Sequence, residues 1–384
     1  MKTLTPKLKL MLVMTLALSL AGCWDYTEIE LLDFVLGGGV DATRPDVIVV
    51  TEMARSTGTG QEAAFEPVVL TTQAANLSGA IRAMLSPSGM EVFWPHAQVF
   101  LVSEEVARQG MLAVLGYIVR TPEMRSTMYM FVTQDCTVEE VLKSKPPLLD
   151  AVSQHLISLV RLSNMISTYI PTQIWQFTGD LATQGMAATL PTVRLVNEAG
   201  DLVPVVEGTA VFKRDEMIGW LDGEETQILS LLRGLKQQGY FVMDTRVEEM
   251  IHPVTYQFRG NQVEMKPVVD GERVSMKIRL TLQLGLVELG DTTITLEDSL
   301  IRSMEEQLSH TFARRIQDFF SEVQKEHNAD VLGFGRMLMQ KHPDMWRSRS
   351  ENWDAVFPNL PIETEVKCRI TFTGLRRDSL IVRP

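Results

Sequence analysis

The sequence predicts an α+β chain (mixed α/β) of more than one domain, ending in an antiparallel sheet covered by a long amphipathic helix. Three observations carry this. Strand-like and helix-like stretches alternate through the first half. Arg273 to Leu286 and Ile362 to Phe372 alternate between apolar and polar residues, as strands with one wet face do. Between them Ile301, Met304, Leu308, Phe312, Ile316, Phe319 and Val323 step by three or four and form one apolar stripe. Two one-faced strands need a cover, and the striped helix supplies it.

Taken in order, Phe34 to Val40 reads as a strand that breaks at Gly37-Gly38-Gly39. Asp46 to Met53, with Val47, Ile48, Val49 and Val50, suits a strand buried on both faces. Arg55 to Pro67 is rich in Ser, Thr, Gly and Glu and reads as a surface loop. Thr71 to Leu85 has helical spacing and stops at Ser86-Pro87. Glu91 to Val102 reads as one strand. Ser103 then caps a helix expected to run to Arg120, with Thr121-Pro122 as its stop. Ser126 to Val132 is a further strand, and Thr137 with Glu140 forms a capping box. Leu148 to Met165 and Thr172 to Gln184 read as helices. Val203 to Trp220 reads as a hairpin about Arg214-Asp215, and Glu224 to Gln238 as a helix ended by Gly239. Thr295 and Asp298 can cap the long helix. The change of pattern divides the chain into residues 23–200 and 201–384, with a further subdivision near 245 open.

The first 22 residues have the form of a lipoprotein signal peptide. Lys2, Lys7 and Lys9 are a positive start, and Leu10 to Leu20 is an apolar run too short to span a bilayer. Gly22 and Cys23 follow as small residue and thiol, the pattern of cleavage between them and lipidation of Cys23. A diacylglycerol thioether carrying palmitate-type chains brings two acyl chains, enough for stable anchoring. The chain has 36 Lys+Arg and 48 Asp+Glu. Removing the leader removes three Lys and no acid, so the mature chain stands at 33 − 48 = −15. That balance argues against nucleic acid as a partner and against loose electrostatic attachment to anionic lipid. After Cys23 only Cys136 and Cys368 remain, and they read as two buried thiols in different domains.

A search for chemistry returns little. The sequence has no H-E-x-x-H, C-x-x-C, G-x-S-x-G or phosphate-loop pattern. Six histidines are scattered without ligand spacing, so no metal and no cofactor is expected. His96, in Phe93-Trp94-Pro95-His96, reads as a structural histidine at a strand start. Asp330 is a good helix N-cap, and Gly333 and Gly335 in the helix behind it each cost about 1 kcal/mol relative to Ala. Retaining both points to close packing, expected against the long helix.

These residues resemble the Ger(x)C family, the C-subunit lipoproteins of the nutrient germinant receptors of bacterial endospores. The likeness begins at Gly22-Cys23-Trp24-Asp25 with Glu28-Ile29 and continues from His96 to Glu105. It recurs at Ala210 to Asp215 with Gly219-Trp220-Leu221 and Glu225-Thr226. It ends with Asp330 to Gly335, His342-Pro343, Trp346, Trp353, Phe357-Pro358 and a closing strand to Gly374. Tyr26-Thr27, where a basic residue is common, and Gly38 are local departures. The resemblance implies a non-enzymatic subunit in spore germination, lipid-anchored to the outer face of the inner spore membrane. It also implies two membrane-embedded partner subunits. The competing reading is a solute-binding lipoprotein of a transporter, which calls for two similar lobes; here the halves differ in pattern.

Overall fold

The computed structural model describes residues 32–57, 64–247, 250–289 and 296–372, together with positions 6, 7, 11 and 15. Gly22, Cys23, Trp24 and Asp25, like Thr295 and Gly374, lie outside the described residues. The chain opens with β1 (Leu32–Ala42), β2 (Val47–Thr57) and β3 (Ala64–Ala74), then α1 (Leu77–Ala83) and α2 (Leu85–Ser88). β4 (Glu91–Phe93), β5 (Val99–Val102), α3 (Glu104–Gln109), α4 (Leu112–Arg120), β6 (Tyr129–Thr133) and α5 (Val138–Leu142) follow. Next come α6 (Val152–Ile166), α7 (Ile174–Ala182), β7 (Thr189–Glu198), β8 (Asp201–Lys213), β9 (Glu216–Leu221) and α8 (Gly223–Leu232). The last part holds β10 (Tyr240–Val247), β11 (Met250–Asp270), β12 (Arg273–Glu288), α9 (Asp298–Ser321), α10 (Phe334–Lys341) and β13 (Ile362–Phe372).

The first sheet runs β3-β2-β1-β5-β6-β7-β8-β9, with β4 beside β1. Its centre is parallel, β1 to β5 to β6 to β7, and its flanks are antiparallel. Every residue of β5 is buried, as a central parallel strand covered on both faces requires. Two carboxylates from strands tie helices to this sheet. Glu52 of β2 accepts from the Val152 and Ser153 N–H groups at 2.8 Å each, capping α6 where Ala151 offers no side chain. Asp41 accepts from the Val138 and Glu139 N–H groups at 2.5 and 3.0 Å, adding to the Thr137–Glu140 capping box of α5. Burial pushes both carboxyls above their ordinary values, against the pull of the N–H donors.

The second sheet runs β10-β11-β12-β13. Val274, Met276, Ile278, Leu280, Leu282, Leu284 and Leu286 of β12 are buried under α9. The α9 stripe is buried from Met304 through Phe319, and Phe312 meets the rings of Phe241 and Phe258 at 5.5 and 6.1 Å. α9 also bonds backbone groups on both edge strands of this sheet. The Gln307 amide bonds the Arg246 N–H and C=O at 2.9 Å, while Ser309 and Glu305 accept from the Cys368 and Ile370 N–H groups. The opposite face carries charges, with Arg279 3.0 Å from both Glu264 and Glu365.

The structure corrects several expectations. The second sheet is antiparallel only from β10 to β12; β13 joins parallel to β12, because the chain returns to the same end through the α9 crossover. The triple glycine does not break β1. The three residues pair on both sides, and a Cβ on Gly39 would overlap the Leu101 carbonyl, so glycine serves close strand approach there. Of the expected loop at 55–67 the described residues, 55–57 and 64–67, are strand, and β3 runs to Ala74 before the helix begins. Pro95 sits in a 3₁₀ turn that splits the expected Glu91–Val102 strand, and Gly110 splits the helix after Ser103. α8 ends at Leu232, ahead of Gly239. At the start of α9 the cap position is Glu297, with no side-chain bond, and Asp298 lies inside the helix. Apart from these corrections, residues 200/201 lie at the turn of the β7–β8 hairpin, and sheet membership changes between Leu221 and Tyr240. Both Cys136 and Cys368 are free, and Cys136 is half-buried rather than buried.

Candidate functional site at the seam of the two sheets

Of the seven motif residues that are described, six gather where the first sheet meets the segment after α9. Asp330 is 5% exposed, and its carboxylate is filled with donors. Oδ1 accepts from the Phe334 N–H at 2.8 Å; Oδ2 accepts from the Gly335 N–H at 2.8 Å and the Trp353 indole N–H at 3.2 Å. Asp330 therefore caps α10 from four residues upstream, while Gly333 holds the cap position itself at φ +70°. Burial pushes this carboxyl up to about 6, with the Gly335, Phe334 and Trp353 donors pulling the other way.

The expected close packing of Gly335 against the long helix is replaced by another partner. A Cβ on Gly335 would lie 2.6 Å from the Cα of Gly185 and 2.8 Å from the Trp346 ring. Gly185 belongs to the turn between α7 and β7, so two backbones from distant parts of the chain touch. Around this contact the Arg336 N–H donates to the Gly185 carbonyl at 3.1 Å and the Ala187 N–H to the Asp330 carbonyl at 2.9 Å. Arg233, one residue past α8, donates to the Val331 carbonyl at 2.8 Å and to Thr189 of β7 at 3.0 Å. Burial lowers its guanidinium to about 10, and Asp180 opposes that shift. Trp346 and Trp353 stack edge-on at 5.3 Å beside this network.

Gly219 and Trp220 lie on the same seam. The bare Cα of Gly219 admits the ring of His327, whose Nε2 stands 3.1 Å from the Trp220 carbonyl and 3.1 Å from Glu322. A turn of π-helix, Glu322–Glu326, brings His327 there. His96 does not join. It is exposed at the far side of β1, its ring 5.2 Å from that of Phe34 and 5.7 Å from that of Phe93. Sequence reasoning missed Gly185, Arg233 and His327, whose contacts with Gly335, Val331 and Trp220 each join residues about a hundred or more positions apart. The retention of Gly335 was the one local signal of the contact.

Chemically this arrangement is a staple. The acceptor positions of Asp330 are taken by backbone and indole donors, and Arg233 is spent on a carbonyl and a hydroxyl. Among the described residues no group of three or more His, Cys, Asp or Glu is placed to hold a metal ion, and no helix is long and apolar enough to cross a membrane. A cleft of about 420 Å³ beside the staple is lined by Gly185, Met186, Lys213, Asp330, Trp346 and Trp353 among others.

Comparison with known proteins follows the same order along the chain. Residues 25–195 match the spore germination protein N-terminal domain, and residues 207–374 match the "Spore germination B3/ GerAC like, C-terminal" domain. Spore germination protein B3 of Bacillus subtilis (strain 168) is 26% identical over 384 residues, covering 97% of each chain. Spore germination protein KC of the same organism is 22% identical, covering 94% of each, and spore germination protein A3 is 23% identical, covering 96% of this chain and 99% of that one. The crystal structure of the GerBC protein superposes with a TM-score of 0.60 at 18% identity, over 90% of this chain and 100% of that one, and shows the shared fold. With both halves matched in order and the fold shared over 90% of its length, the chain belongs to the Ger(x)C family of spore germination proteins.

Proposed function

We propose that this protein is the lipid-anchored, non-enzymatic C subunit of a spore nutrient germinant receptor, working beside two membrane-embedded subunits. The observation that carries the reading is the full-length match: relatives named for spore germination align over nearly the whole of both chains. The leader supports the anchor, since basic start, apolar run, Gly22 and Cys23 fall in register. The seam supports a scaffold role, because its polar groups are consumed in joining two sheets. Anchoring also relaxes what the protein contacts must supply. Two proteins held in one membrane meet at high local concentration, so a contact of micromolar strength, about 8 kcal/mol, suffices. On this reading a division into residues 23–200 and 201–384, with a possible subdivision near 245, sets the part that follows the tether apart from the part carried by it.

The test is Cys23→Ala in the spore-forming host. The reading predicts loss of the acylated, membrane-bound form and loss of the response to at least one nutrient. Normal membrane retention with normal nutrient-triggered germination would overturn it.

A further inference from the structure

The chain enters the described structure at Leu32, and exposed apolar side chains surround that entry. β4 pairs parallel with β1, Leu32 opposite Glu91, so Met90 stands level with the incoming chain. Met90 is 40% exposed and Leu85, in the helix just before it, 45%. The same end of the sheet can be followed across its strands. The Gln98 N–H donates to the Leu36 carbonyl, the Tyr129 N–H donates to the Gln98 carbonyl, and Tyr129 bridges to Gln173. Trp175 is next, tied to the Ser126 carbonyl through its backbone N–H and to Gln173 Oε1 through its indole at 2.6 Å. Its ring is 53% exposed. At about 4.8 Å per strand, it sits on the order of 15 Å from β1.

Leu85, Met90 and Trp175 therefore share the end at which β1 starts. Eight residues separate Cys23 from Leu32, and nine Cα steps reach at most about 32 Å. A lipid on Cys23 thus keeps this end within that distance of the bilayer. The opposite end also exposes apolar residues, Leu148 at 93% and Leu202 at 49%. Asp41, ~30 Å along β1 from Leu32, caps α5 there; the Lys145 N–H just after α5 donates to the Leu202 carbonyl, and Leu148 follows three residues on. A net charge of −15 is repelled by anionic headgroups, so contact at the near end is made by apolar and indole groups, which suit the interface.

We infer that this end of the first sheet rests on the bilayer, with Leu85, Met90 and Trp175 entering the headgroup boundary. The inference rests on the lipid-anchor reading of Cys23 and adds which face of the protein meets the lipid. The test uses the full, lipidated chain in vesicles of phosphatidylglycerol and phosphatidylethanolamine. Met90→Cys, Trp175→Cys and, as control, Leu148→Cys each carry a nitroxide in a background of Cys136→Ala and Cys368→Ala. The expected result is severalfold lower access of a water-soluble nickel complex at 90 and 175 than at 148, with access to lipid-soluble oxygen raised at the same two positions. Equal nickel access at all three, in protein that sediments with the vesicles and carries the acyl mass on its N-terminal peptide, overturns the orientation alone. A chain that stays in solution without the acyl mass overturns the anchor and the orientation together.

Discussion

The two sheets solve the same problem in different ways. The first buries both faces of its centre under helices, and its central strands are continuous apolar runs such as Val99–Val102. The second buries one face under α9 and leaves the other in water, lined by Glu264, Arg279 and Glu365. A sheet with two dry faces draws its stability from many helices, while one with a single dry face leans on its one cover. The lesson is where each half is vulnerable. The second half depends on one helix and its stripe, and the contacts that join the halves gather about one buried carboxylate.

The largest expected effect is at that helix. Phe312→Ala removes a ring packed on Phe241 and Phe258 and should cost about 3–5 kcal/mol, read as a fall in urea midpoint. A loss below about 1 kcal/mol would show that α9 is not the principal cover of the second sheet.

Next comes the join. Asp330→Asn places an amide N–H₂ against the Gly335 and Trp353 donors and should cost on the order of 1–3 kcal/mol. It should also change the pH dependence. The Asp330 carboxyl lies at about 6 in the folded protein against an ordinary 3.8, so the folded state binds this proton more tightly than the unfolded chain. Its stabilising contribution is full below the ordinary value and is lost as pH rises through about 6. Between pH 7 and pH 5 the wild type should gain about 1 kcal/mol from this group, and the variant should not. Asp41, Glu52, Asp180 and Glu225 are raised by burial too and leave a background slope in both proteins. Identical slopes in the two would remove Asp330 from the account.

The smallest effect belongs to the wet face. Arg279→Ala breaks ion pairs to Glu264 and Glu365 that stand in solvent, and the urea midpoint should not move measurably. A clear fall would mean that this face is covered.

Legibility followed the same contrast. β12 and β13 could be read because one wet face imposes alternation, and the α9 stripe could be read because its other side is polar. The first sheet was harder. β1 is buried on both sides over Gly37–Val40 and shows no period there, while β3, an edge strand with no fully buried residue from Glu66 to Ala74, carries the Thr and Glu content of a loop. The parallel entry of β13 depends on which end the crossover returns to, which no local pattern records. At the seam, Asp330, Gly333 and Gly335 declared themselves through capping and glycine cost. Gly185 did not, because a glycine in a turn is ordinary until its distant neighbour is known.

The central claim is that this chain serves as one subunit of a membrane receptor, and co-purification from the spore membrane tests it most directly. With an affinity tag on the chain and mild detergent, the account predicts recovery with two polytopic membrane proteins in fixed ratio, and loss of both from Cys23→Ala. Recovery of the chain alone, or with a transporter permease and its ATPase, would contradict it.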